Sequence, residues 1–154
     1  VTITVSTLAD CPFSIAAEYA QDYLRNAEAS GAELLVHVPW FPSLPALAHR
    51  VRVSFGLHTD VTEPGRRHEE IRLQWKSGSR LLPNFRGTVF FRIEAPRTRI
   101  LIEGHYDAPL GVLGRCFDSV IGKRIARASL QDLGDRLATY LERREREWRQ
   151  RKGA

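Results

Sequence analysis

Between residues 47 and 107 the chain alternates apolar and polar side chains with a period of two, and beyond residue 112 the apolar period lengthens to three and four. That change of rhythm constrains the fold more than any single residue. A period of two sends alternate side chains to opposite faces of a strand, whereas steps of three and four keep them on one face of a helix. Leu47, His49, Val51, Val53, Phe55 and Leu57 share one phase, against Arg50, Arg52, Ser54 and His58 on the other. Ile71, Leu73 and Trp75 oppose Arg72, Gln74 and Lys76, and Phe85, Val89, Phe91 and Ile93 oppose Arg86, Thr88, Arg92 and Glu94. Ile100, Ile102, Gly104 and Tyr106 oppose Glu103, His105 and Asp107. Turn residues at Glu63-Pro-Gly, Ser77-Gly-Ser and Ala95-Pro-Arg separate these runs. Strands joined this tightly predict an antiparallel meander with one buried face. The other face is polar apart from Phe90 and Leu101, which hint at a partner or dimer contact.

The flanking segments supply what covers the buried face. Val1 to Thr7 alternates β-branched and hydroxyl residues and reads as a half-buried strand. Asp10 is placed to cap a helix with Pro12 in its first turn, and Phe13, Ala16, Ala17, Ala20, Tyr23, Leu24 and Ala27 form its apolar stripe. Ser30-Gly31 ends it, and Leu34 to Val38 is a short apolar run before the turn-rich WFPSLP. From about Val112 to Trp148, Leu113, Phe117, Val120, Ile121, Ile125, Ala128, Leu133, Leu137 and Leu141 make a second stripe. Some 30 helical residues span about 45 Å, enough to cross a sheet. Gly122 and Gly134 weaken this helix by about 1 kcal/mol each relative to Ala and mark close backbone packing.

Charge and composition exclude more than they suggest. A chain of 154 residues suits one domain, expected over residues 1–147 with a basic tail at 148–154. The net charge is +5, but residues 143–152 hold six cations and two carboxylates, so the rest is nearly neutral. The basicity is a tail property and predicts no specific nucleic-acid partner; Glu142/Arg146 and Glu145/Arg149 at i,i+4 fit a solvated helix end. The two cysteines, Cys11 and Cys116, make neither a disulfide framework nor a zinc set. Each begins a helix, where a dipole lowers a thiol pKa, although single cysteines more often act as small hydrophobes. Glu103, His105 and Asp107 share a strand face, but it is the solvent face, so neither a metal site nor a triad follows. No Walker loop or dinucleotide fingerprint appears, so no cofactor is implied; Gly111-Val-Leu-Gly lacks the basic flank of an RNA clamp. Without an apolar run of about 18 residues or a signal peptide, a cytoplasmic chain with no transmembrane segment is expected.

Strand, helix, antiparallel sheet and one long terminal helix is an α+β order that resembles the START / polyketide-cyclase (SRPBCC) superfamily over nearly the full length. The most specific stretch, Thr98-Arg-Ile-Leu-Ile-Glu-Gly-His-Tyr-Asp-Ala-Pro-Leu-Gly-Val-Leu-Gly-Arg, is similar to the junction of last strand and helix in bacterial members. The resemblance implies a helix-grip fold, a curved sheet wrapped around the C-terminal helix, enclosing an apolar cavity for a lipid, polyketide or quinone-like ligand. Carried onto this chain, Phe55, Trp75, Phe91, Tyr106, Phe117 and Ile121 become candidate cavity walls. His49, on an apolar strand phase, is a candidate polar anchor. The alternative is a polyketide aromatase/cyclase or dehydratase-type enzyme acting through His49 and Tyr106; under either reading a monomer or homodimer is expected.

Overall fold

The computed structural model describes residues 2–29, 34–38, 47–60, 68–77, 84–107 and 119–153, with side chains over 2–26, 70–74, 84–106, 123–124 and 126–153. In chain order the elements are β1 (Thr2–Ala9), α1 (Phe13–Ala29), β2 (Leu34–Val38), β3 (Leu47–Asp60), β4 (His68–Ser77), β5 (Asn84–Glu94), β6 (Arg97–Asp107) and α2 (Ser119–Lys152). The architecture is α+β: a six-stranded antiparallel sheet of order β1-β6-β5-β4-β3-β2 with a C-terminal helix.

The expected meander forms β3 to β6 with the alternation in register. Leu57, Ile71, Val89, Ile102 and Val5 occupy one cross-strand row, and Phe55, Leu73, Gly87, Gly104 and Ile3 the next. A one-residue slip would turn every apolar side chain outward, so the buried face itself enforces this pairing. Ile71, Phe85, Val89, Phe91, Ile100 and Ile102 are all buried, whereas Ile93, on the same phase but beside the β5–β6 turn, is exposed. On the opposite face Glu103 and His105 are exposed, as the alternation requires. Phe90 and Leu101 are half-buried and sit directly opposite each other across β5 and β6, so each finds apolar contact within the sheet.

The chain order sends β1 to pair with β6, while β2 lies at the far edge beyond β3. Both edges nevertheless meet the same helix: α2 packs on β1 and β6 at one side and on β2 at the other. The middle strands β3 to β5 meet mainly α1 instead, so the sheet bows away from α2 between its two margins. At 34 residues α2 is about 51 Å long. Its buried positions, Ala126, Leu130, Leu133, Leu137, Ala138 and Leu141, keep the helical spacing that the apolar stripe predicts. Helix α1 packs against β3 to β6 and against α2, where the Tyr23 and Tyr140 ring centroids lie 5.1 Å apart.

Two local expectations change. Helix α1 starts at Phe13, with the Ile15 amide bonded to the Pro12 carbonyl at 3.3 Å, so Asp10 lies too far upstream to cap it. The Asp10 backbone amide instead donates to Glu142 Oε1 at 3.0 Å, tying the β1–α1 junction to α2. The basic segment is helical through Lys152 and exposed over residues 146–153, but Glu145 at its start is buried rather than solvated.

The glycines fall into two classes. Gly87 and Gly104 face each other on β5 and β6, beneath the ring of Phe85. A Cβ on Gly104 would lie 2.5 Å from the Arg86 carbonyl oxygen and 2.6 Å from Gly87 Cα, which no side-chain rotation relieves. At Gly134 in α2 a Cβ meets Ile102 Cδ1 at 3.6 Å and Thr7 Cβ at 3.8 Å, ordinary van der Waals contacts. Gly104→Ala is therefore expected to lose about 1–3 kcal/mol or more of stability through overpacking. Gly134→Ala is expected to gain up to about 1 kcal/mol from helix propensity. Urea denaturation of the two variants measures both signs.

Candidate functional site: the inner face of the sheet and the C-terminal helix

The inner face is built from alternate residues of each strand, so its composition follows directly from the period of two. Its described part is apolar: Ile3 and Val5 from β1, Ile100 and Ile102 from β6, Val89 and Phe91 from β5, Ile71 and Leu73 from β4. One row is aromatic by position, since Phe85 pairs with Trp75 on one side and with Tyr106 on the other. Phe85 is fully buried and its ring covers the Gly87–Gly104 pair, filling the dent left by two absent side chains. Sequence reasoning placed Phe85 on the inner phase but not among the site residues. The usable signal was the pair of glycines on successive strands.

Tyr106 supplies a polar group to this face. It is buried, and burial pushes its phenol above the ordinary tyrosine range, so it remains a neutral hydroxyl. Phe91 is also buried, but it lies six residues along β5 from the Tyr106 partner Phe85, about 20 Å by strand rise. These two candidates therefore mark opposite ends of the inner face. The register pairs Phe55 with Leu73, Trp75 with both Val53 and Phe85, and His49 with Val36. The side chains of His49, Phe55, Trp75 and Ile121, and the whole of Phe117, lie outside the described residues. Strands β4 and β5 separate His49 from Tyr106, about 14 Å of inter-strand spacing, so the register does not make them neighbours.

A polar cluster fixes α2 over the β1 edge. Gln131 Nε2 donates to Thr7 Oγ1 and to Asp135 Oδ1, each at 2.9 Å, and the Thr7 hydroxyl donates to the same Asp135 oxygen. Thr7 is an inner-phase residue of β1, so this network locks helix register against strand register. No set of three or more metal-ligating side chains occurs among the described residues.

A second cluster holds the end of α2 against the β1–α1 junction. The buried Thr98 hydroxyl donates to the Cys11 carbonyl at 2.6 Å. Glu145 accepts from Arg149 Nε at 2.7 Å, while its Oε2 is buried with no hydrogen-bond partner among the described residues. Arg144 lies over the Tyr19 ring at 5.4 Å and 3.6 Å from Asp22. Cys11 is fully buried in this setting. Burial first, and the Glu145 carboxylate second, push its thiol up from 9.0 to about 12. The helix dipole therefore does not activate Cys11, which is a structural hydrophobe.

No family model and no curated protein matches the chain. Among solved structures it is similar to the crystal structure of TTHA0849 from Thermus thermophilus, with a TM-score of 0.55 at 14% identity. The likeness is one of fold. It covers 92% of this chain and 97% of the other, so it concerns the whole arrangement rather than one motif. No helix among the described residues is long and apolar enough to cross a membrane.

The buried thiol predicts alkaline sensitivity. Its folded pKa lies above its unfolded value, so above about pH 9 the unfolded chain releases a proton that the native chain keeps. Stability is then full below pH 9 and falls as pH rises towards 12. Tyr19, Tyr23 and Tyr106 are raised by burial and act in the same direction from about pH 10. Cys11→Ala is expected to flatten the first part of that decline in urea titrations across pH, leaving the tyrosine part.

Proposed function

We propose that the chain is a helix-grip protein of the START / polyketide-cyclase (SRPBCC) kind that binds a small hydrophobic or amphipathic ligand between the inner sheet face and α2. The observation that carries the reading is the grip itself: α2 reaches both sheet margins, while the floor between them is an apolar surface. A concave apolar surface with few polar groups is how proteins bind lipid-like molecules, with affinity from burial and orientation from hydrogen bonds. Tyr106 is the described residue best suited to orient such a ligand, because it stays protonated across the physiological range and sits among apolar side chains. The TTHA0849 likeness supports the fold beneath this reading and is silent about the ligand.

The expected result is saturable binding of one equivalent of a hydrophobic probe such as anilinonaphthalene sulfonate, displaced competitively by a fatty acid or a quinone. Tyr106→Phe is expected to weaken a ligand that hydrogen-bonds the phenol by roughly three- to tenfold, the worth of one such bond. Titration by fluorescence measures both affinities. Absence of saturable binding to the native chain overturns the proposal.

A further inference from the structure

The two large hydrophobic side chains that stand exposed among the described residues are Ile93, 66% exposed, and Trp148, 43% exposed. They are far apart in sequence, yet the fold delivers both to one end of the molecule. Ile93 pairs with Thr98 at the β5–β6 turn, and Thr98 bonds to Cys11 at the start of α1. Cys11 in turn lies within the electrostatic reach of Glu145 and Arg149, on the turns of α2 that carry Trp148. From residue 146 to residue 153 every position of the helix end is exposed.

The same end is cationic. Of the two carboxylates between residues 143 and 152, Glu145 is buried against Arg149 and Glu147 lies 3.9 Å from Arg143. Arg146, Arg151 and Lys152 are left to face outward, with Lys152 lying 4.3 Å from the centroid of the Trp148 ring. Arg97 adds an exposed guanidinium on the turn beside Ile93.

The geometry points to this pole as a docking surface for an anionic lipid bilayer, with Ile93 and Trp148 entering the interfacial layer and the cations meeting headgroup phosphates. Separate apolar anchors among long-stemmed cations suit a fluid surface, which has no fixed shape to match. A protein partner would call for a contiguous apolar core at the contact. Single-stranded nucleic acid would call for open aromatic faces, whereas Ile93 has none and Lys152 covers one face of Trp148. The inference is independent of what, if anything, the inner face binds.

Co-sedimentation of the full chain with phosphatidylcholine vesicles, with and without phosphatidylglycerol, tests it. Binding is expected only with phosphatidylglycerol and is expected to weaken with salt. The Arg146→Gln/Arg151→Gln double variant is expected to bind about tenfold or more weakly, and Ile93→Ser and Trp148→Ser roughly fivefold more weakly each. All four positions are exposed, so circular dichroism should show an unchanged fold. No binding beyond phosphatidylcholine overturns the inference. So does binding that ignores the Ile93 and Trp148 substitutions, or tighter binding to single-stranded RNA than to vesicles.

Discussion

The contact of α2 with both margins of one sheet is the constraint on which the rest of the structure depends. An antiparallel sheet with a single apolar face is unstable until that face is covered, and here one long helix and one shorter helix do the covering. The margins meet α2 while the middle strands meet mainly α1, so the sheet curves, and a curved sheet carries close approaches on its inner face. Gly87 and Gly104 admit such an approach, with the Phe85 ring lying over them. The Thr7–Gln131–Asp135 network then fixes where along β1 the helix sits. Curvature, glycine pair and polar lock are consequences of one requirement.

The end of the molecule near Cys11 obeys a different logic. Glu145 is a buried carboxylate bonded through one oxygen, an arrangement that costs stability compared with an apolar side chain. Its neighbours explain how the cost is contained: Arg149 supplies opposite charge, and Glu142 next to it takes the Asp10 amide. Charge is thus used to join the β1–α1 junction to α2 where apolar packing runs out. The helix then continues for two turns in which every residue is exposed, Trp148 and the cations included.

Much of this was legible in the residues. The inner phases of β5 and β6 could be read from Phe85 to Phe91 and from Ile100 to Tyr106, because a period of two has only two possible faces and the apolar one must be buried. The outward row of Glu103 and His105 followed from the same rule. Burial of Glu145 was not legible, since its spacing from Arg149 is also that of a solvated helix pair. The distinction rests on the β1–α1 junction, which is remote in sequence. The same holds for Asp10, whose side-chain type suits a cap but whose amide is taken by Glu142. Alternation placed Tyr106 and Phe91 on one face but was silent about the length of strand between them. Local pattern determines faces, and long-range contacts determine neighbours.

The central claim is that the curved sheet and α2 enclose a place for a small apolar molecule. Native mass spectrometry of the chain, as purified and after exposure to a total lipid extract, tests this most directly. The account predicts a species heavier than the 17.5 kDa polypeptide by one small molecule, which is lost on denaturation and recovered in organic solvent. The bare polypeptide mass under both conditions would contradict it.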